Sequence, residues 1–201
     1  MICAGVTGGI GTGKTTLCRE WEKLGAKVVY ADELAKKLMV SDPVVKNKLR
    51  NTFGDDTFRE DGSLNKPHLI REAFSNNRVE ELNEIVHPAV AAEFRRICDE
   101  AEKKGEQMVV EEAALLLNRG RPEGFDVIVL ITLPREKQIE RVASRDSVSE
   151  ENILSRIQNQ PDFSSMTHLA DIVIENRGTE EEFREQARQL FKDILKEYNP
   201  E

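Results

Sequence analysis

At 201 residues, with 39% hydrophobic and 33% charged residues, the chain is sized for one α/β domain with an inserted subdomain and has apolar content for a real core. Its formal net charge of −8 argues against a broad basic nucleic-acid surface, yet it leaves room for an anionic ligand held locally by arginines and backbone N–H groups. Cys3, Cys18 and Cys98 have neither paired nor metal-like spacing, and no apolar run approaches the length of a membrane span, so a soluble cytoplasmic protein is expected.

The first predicted element is a short buried strand, Ile2-Cys3-Ala4-Gly5-Val6-Thr7. It runs directly into Gly8-Gly9-Ile10-Gly11-Thr12-Gly13-Lys14-Thr15, which fits the phosphate-binding pattern G-x-x-x-x-G-K-[ST] at every fixed position. Glycines let the backbone turn tightly and present consecutive N–H groups to phosphate oxygens with no side chain in the way. Lys14 is expected near the β- and γ-phosphates of ATP, and the Thr15 hydroxyl on Mg²⁺. Thr15 to Leu24 is predicted as a helix whose N-terminus adds its dipole to the site. Gly9, Gly11, Thr12, Gly13, Lys14, Thr15 and Thr16 are therefore the expected nucleotide-binding residues. Such a loop alone serves kinases, GTPases and motor-like ATPases.

Further along, Lys27–Tyr30 is a second strand, closed by Ala31-Asp32. A carboxylate at the carboxyl edge of an open α/β sheet can align an acceptor hydroxyl and take its proton, although Asp32 could equally cap a helix starting at Glu33. From about Asp42 to Lys104 only helical patterns occur, punctuated by Asp55-Asp56, Asp61-Gly62 and His87-Pro88. His87-Pro88 reads on local grounds as a restricted turn between helices. Strands return at Gln107–Glu111, Val127–Thr132 and Ile172–Ile174. Glu111 and Glu112 end the third strand, where an acid can hold water bound to Mg²⁺, or two acids can simply be solvated. Arg141 and Arg145 stand four residues apart and suit either a phosphate lid or a solvated helix face. Thr179 to Tyr198 is a last helix with a capped, acidic first turn, and Cys18 and Trp21 read as core.

Taken in order, Thr7-Gly8-Gly9-Ile10-Gly11-Thr12-Gly13-Lys14-Thr15, Ala31-Asp32 and Leu82-Asn83-Glu84-Ile85-Val86-His87-Pro88 resemble the signature of the dephospho-coenzyme A kinase family. Glu112-Ala113-Ala114-Leu115-Leu116-Leu117, Arg141, Arg145-Asp146, Arg156 with Gln160, and Ala170-Asp171-Ile172-Val173-Ile174-Glu175-Asn176 extend the resemblance over nearly the whole chain. It implies a P-loop kinase-like α/β fold, a parallel five-stranded sheet with helices on both faces, a helical acceptor-binding insertion and a lid. The nucleotide-binding core would span about 1–40 and 105–201, the acceptor-binding subdomain about 41–104 and the lid about 141–165. The implied reaction moves the γ-phosphoryl of ATP, with Mg²⁺, onto the ribose 3′-hydroxyl of dephospho-coenzyme A, without nucleic-acid or membrane partners. Asp32 would orient and deprotonate that hydroxyl, with Lys14, Arg141 and Arg145 stabilising the transferring phosphoryl. His87 and Pro88 would belong to the acceptor site, Asn176 would lie near the base, and Glu112 would take the acidic position by the metal.

Several positions depart from the family pattern. Tyr30 precedes Ala31-Asp32 where a second acid is usual, Ala114-Leu115-Leu116-Leu117-Asn118 has lost the usual opening proline and closing acid, and Met166 replaces a lysine. They leave open a related small-molecule or nucleotide kinase with another acceptor, or a nucleotide-binding protein with weak turnover.

Overall fold

A computed structural model describes residues 1–146 and 149–198, with the side chains of Arg145, Asp146 and Glu150 outside that description. Five strands form one sheet in the order β2-β3-β1-β4-β5. They are β1 (Ile2–Gly8), β2 (Lys27–Tyr30), β3 (Met108–Glu112), β4 (Val127–Thr132) and β5 (Ile172–Glu175). Central β1 pairs in parallel with β3, placing Ala4 beside Val110, and with β4, placing Ala4 beside Val127; β4 in turn pairs in parallel with β5. Every β4 residue from Val127 to Ile131 is buried, as a strand covered on both faces must be. All five expected strands are present. β1 runs one residue past the expected Thr7 because Gly8 still pairs with Ile131, which carries the sheet to the edge of the glycine loop.

The chain divides into two compact units, Met1–Val29 with Cys98–Glu201, and Tyr30–Ile97. In the first, α1 (Lys14–Lys23) follows the loop and buries Leu17, Cys18 and Trp21, so the latter two are core as expected. Trp21 Nε1 donates to Ala187 O at 2.8 Å, and its ring sits 5.9 Å from that of Phe191, which ties α1 to the C-terminal helix. Strand starts are pinned by carboxylates: Asp126 accepts from Cys3 N at 2.7 Å, and Asp171 accepts from Ile128 N at 2.7 Å.

The second unit is helical, with α2 (Ala31–Ser41), α3 (Pro43–Phe53), a short 3-10 turn at Asp55–Thr57, α4 (Lys66–Leu69) running into a π turn at Ile70–Ser75, and the first part of α5 (Val79–Lys103). Asp42 caps α3 by accepting from Val44 N at 2.7 Å and Val45 N at 3.0 Å, with Pro43 in the first turn where its missing N–H costs nothing. Val45, Leu49, Phe53, Phe58, Leu69 and Ala73 form this unit's own core.

Two local expectations are corrected here. His87-Pro88 is not a turn: Pro88 lies inside α5. One lost backbone hydrogen bond is outweighed by the stripe Val86, Val90 and Phe94, each buried on one side of the helix. Nor is Asp32 an N-cap, since α2 already begins at Ala31 with Tyr30 in the capping position and no side-chain cap bond.

The remaining helices belong to the first unit: α6 (Arg135–Asp146), α7 (Glu150–Gln158), a 3-10 segment at Phe163–Leu169, and α8 (Glu180–Tyr198). α8 opens with the expected capping box, in which Glu182 Oε2 accepts from Thr179 N at 2.7 Å and Glu182 N donates to Thr179 Oγ1 at 3.3 Å. Among the described residues no helix is long and apolar enough to cross a membrane.

Candidate active site

The glycine loop joins the end of β1 to the start of α1, and its fixed residues are held by specific contacts. Thr12 is 1% exposed and its Oγ1 donates to Gly9 O at 2.9 Å, closing the loop on itself. Lys14 Nζ donates to Gly8 O at 2.9 Å and Gly9 O at 3.0 Å, so the ammonium curls over the loop. Gly13 sits at φ 106°, and a side-chain carbon there would lie 2.7 Å from Asn176 Nδ2 and 2.8 Å from Phe183 Cε1. Only glycine meets both the backbone angle and the space.

Glu112, at the end of β3, reaches the same place from the neighbouring strand. Its Oε2 accepts from Thr15 Oγ1 at 3.4 Å, and its Oε1 lies 4.0 Å from Lys14 Nζ. Strand alternation sends Glu111 to the opposite face, where it is 6% exposed and burial raises its pKa to about 7. The two neighbouring acids thus have separate surroundings, and Glu112 is the one beside the loop. A hydroxyl and a carboxylate are hard oxygen donors of the kind Mg²⁺ takes alongside water and phosphate oxygens. Among the described residues no group of three or more His, Cys, Asp or Glu side chains could hold a metal alone.

A third element buttresses the loop from below. Asn176, 3% exposed and just past β5, donates through Nδ2 to Thr12 O at 2.8 Å. Arg141 Nη2 from α6 donates to Asn176 O at 3.2 Å, Asn176 Oδ1 at 3.3 Å and Gly178 O at 3.0 Å. Asn176 therefore connects the loop to Arg141. The side chain of Arg145, on α6, lies outside the description. Thr16 is half-buried on α1.

A cavity of about 520 Å³ opens beside Gly9 and Thr12, walled by Ile131 from β4, by Leu133 just past its end, and by Gln138, Gln160 and Phe163. Gln160 Oε1 accepts from Ile10 N at 2.8 Å, a contact across 150 residues. Gln138, Phe163 and the Gln160 contact are absent from the sequence reading of the site, since no spacing rule joins such distant positions. In the other unit, Asp32 is exposed in the first turn of α2, two residues past β2, and His87 and Pro88 are exposed on α5. Of the departures, Asn118 is exposed and Met166 is half-buried in the 3-10 segment.

Comparison with known proteins bears directly on this arrangement. The family profile described as dephospho-CoA kinase matches residues 2–182. The dephospho-CoA kinase of Salinibacter ruber is 38% identical over 192 residues, covering 95% of this chain and 96% of that protein. That of Chlorobium chlorochromatii is 33% identical over 201 residues, covering 98% and 95%. Among solved structures, TT1252 from Thermus thermophilus aligns with a TM-score of 0.75 at 28% identity, covering 98% of this chain and 97% of its own. The dephospho-CoA kinase of Campylobacter jejuni shares the fold with a TM-score of 0.63 at 23% identity, covering 96% of each chain.

Proposed function

The chain belongs to the dephospho-CoA kinase family, and on that premise we propose that it transfers the γ-phosphoryl of ATP to the ribose 3′-hydroxyl of dephospho-coenzyme A, giving coenzyme A and ADP. The observation that carries this reading is the convergence of Lys14, Thr15 and Glu112 at the glycine loop, in a chain matched to the family almost end to end.

In this reading the loop N–H groups and α1 receive the phosphates, and Lys14 exchanges its two carbonyl contacts for β- and γ-phosphate oxygens. Thr15 and Glu112 would hold Mg²⁺, which would supply positive charge to offset that of the phosphates. Phosphoryl transfer passes through a loose transition state, so positioning and charge neutralisation do most of the work. Asp32 orients the acceptor hydroxyl and takes its proton as the new P–O bond forms. Arg141 and Arg145 neutralise the transferring oxygens, while Asn176 keeps Thr12 and Arg141 in register. His87 and Pro88 serve the acceptor. Three free cysteines fit a reducing, cytoplasmic setting.

The test is ADP release from ATP and Mg²⁺ with and without dephospho-coenzyme A, using nucleoside monophosphates as control acceptors. Stimulation by dephospho-coenzyme A alone is expected. Asp32→Asn should retain ATP binding and lose on the order of a hundredfold or more in turnover, as expected for loss of a positioned base. Stimulation by a different acceptor would overturn the substrate, and near wild-type turnover in Asp32→Asn would remove that residue from the chemistry.

A further inference from the structure

The loop's N–H groups carry the phosphate-binding capacity, and one of them is already taken. Ile10 N donates to the side-chain oxygen of Gln160 at 2.8 Å. Gln160 lies in the turn after α7, far from the loop in sequence, and is half-buried against it. A second amide oxygen stands close by: Gln138 Nε2 donates to Leu133 O at 2.7 Å, which turns its Oε1 towards Gly9. A side-chain carbon on Gly9 would lie 3.3 Å from Gln160 Oε1, 3.4 Å from Gln138 Oε1 and 3.5 Å from Phe163 Cε2. Two partly negative oxygens and an aromatic ring thus cover the glycine of a loop built for anions.

We propose that Gln160 is a neutral stand-in for a phosphate oxygen, occupying Ile10 N–H in the nucleotide-free protein and setting nucleotide affinity by having to leave. This rests on the reading of the glycine loop as the triphosphate seat. The chemistry of the side chain fits the role. A carboxamide oxygen satisfies a backbone N–H that would otherwise stay part-buried and unpaired. Carrying no net charge, it yields to a phosphate oxygen, whose charge-assisted hydrogen bond is about twice as strong. A carboxylate here would hold the N–H too tightly and repel the incoming phosphates. Because Gln160 lies within the turn joining α7 to the 3-10 segment, its release frees that turn when the phosphates arrive. Gln160 is thus a positioning residue, acting through the loop backbone.

Calorimetric titration of the whole protein with the β,γ-imido analogue of ATP tests this in the wild type, Gln160→Ala and Gln160→Glu. One hydrogen bond's worth of competition should make Gln160→Ala bind about three- to tenfold tighter, and Gln160→Glu should bind at least tenfold weaker. Weaker binding by Gln160→Ala would make Gln160 a nucleotide ligand and overturn the proposal; unchanged affinity in both variants would make it a structural contact and do the same. A readout on the wild type covers variants that fold poorly. The Gln160 carboxamide ¹³C resonance and the Ile10 amide resonance should both shift on saturation, with the bound Ile10 resonance coinciding in wild type and Gln160→Ala. A Gln160 carbon that does not move while the analogue binds overturns the proposal. Failure of the analogue to bind at all would instead sink the triphosphate seat itself, and with it the proposal.

Discussion

The two units solve the folding problem differently. In the sheet unit, function is written into the backbone: the loop works through N–H groups and carbonyls, so Thr12 and Asn176 are held by hydrogen bonds within 3 Å and Gly13 has no room for a side-chain carbon. This unit also buries carboxyl groups, with Glu20 2% exposed and Glu111 6% exposed. The helical unit has a small apolar core and leaves Val40, Val44, Ile70 and Phe74 on its surface, while its buried polar His68 is satisfied by Phe53 O at 2.7 Å and Arg71 at 3.0 Å. The sheet unit is therefore specified position by position, whereas the helical unit needs little more than a matching pattern of apolar faces.

Matched glycine substitutions would break this comparison most sharply. Gly13 and Gly62 both have positive φ, 106° and 80°. Gly13→Ala adds a carbon 2.7 Å from Asn176 Nδ2 and 2.8 Å from Phe183 Cε1, whereas at Gly62 the nearest group is Lys46 Nζ at 3.9 Å. Backbone strain of about 1–2 kcal/mol is common to both, and overpacking adds roughly 1–3 kcal/mol at Gly13 alone. Gly13→Ala should abolish ATP binding by calorimetry and lower the urea midpoint well below that of Gly62→Ala, which should keep nucleotide affinity. Equal losses in the two variants would contradict the contrast between the units.

Glu111 carries the next largest effect, with the opposite sign. The unfolded chain ionises such a carboxyl near 4.5, while burial keeps Glu111 protonated in the folded protein up to about 7. Between those values the folded state binds the extra proton, so stability falls as pH rises through the window and levels off above it. Glu111→Gln removes this penalty and should stabilise the protein by about 3 kcal/mol at pH 8, with little difference below pH 4.5. Urea melts of both proteins across that range would show it, and a pH-independent difference would place the cause elsewhere.

These cases also indicate what was legible in the sequence. The phosphate loop was readable because its chemistry needs fixed residues at consecutive positions, and the strands because parallel sheets require unbroken buried runs such as Val127–Ile131. The last residue of β1 was not readable, since only the pairing of Gly8 with β4 sets it. Pro88 was misread locally because the stripe that carries α5 through it acts over several turns. The bracing of Thr12 by Asn176 and of Ile10 by Gln160 joins residues 164 and 150 positions apart, a distance over which no local period applies. Asn176 could be picked out as a site residue, whereas its attachment to Thr12 O could not.

Glu20 offers a smaller test within the sheet unit. Its carboxylate accepts from Lys23 at 2.6 Å, Arg184 at 2.8 Å and Arg188 at 3.0 Å, and these hydrogen bonds, the one from Lys23 foremost, hold its pKa down at about 2. The cations are themselves partly solvated, with side chains 31–62% exposed, so the network is worth less than its geometry alone suggests. Stability from this group is present above the ordinary carboxylate value of 4.5 and is lost as pH falls towards 2. Glu20→Gln should cost about 1–2 kcal/mol at pH 7 in a urea melt and progressively less on acidification. A loss that stayed constant to pH 2 would mean packing of α1 on α8, not charge, is what Glu20 supplies.

The smallest expected effect returns to the helical unit. Thr57 is fully buried in the 3-10 turn, and its Oγ1 finds no hydrogen-bond partner among the described residues. Burying a hydroxyl without a partner costs about 1–3 kcal/mol, and valine has nearly the same shape with a methyl in its place. Thr57→Val should therefore be neutral or stabilise by up to about 1 kcal/mol, raising the urea midpoint without changing turnover. If the unit needs only a fitting apolar surface there, the methyl is the better group. A clear loss of stability in Thr57→Val would mean that the hydroxyl is satisfied in solution, by a bound water, and that this unit too is specified atom by atom.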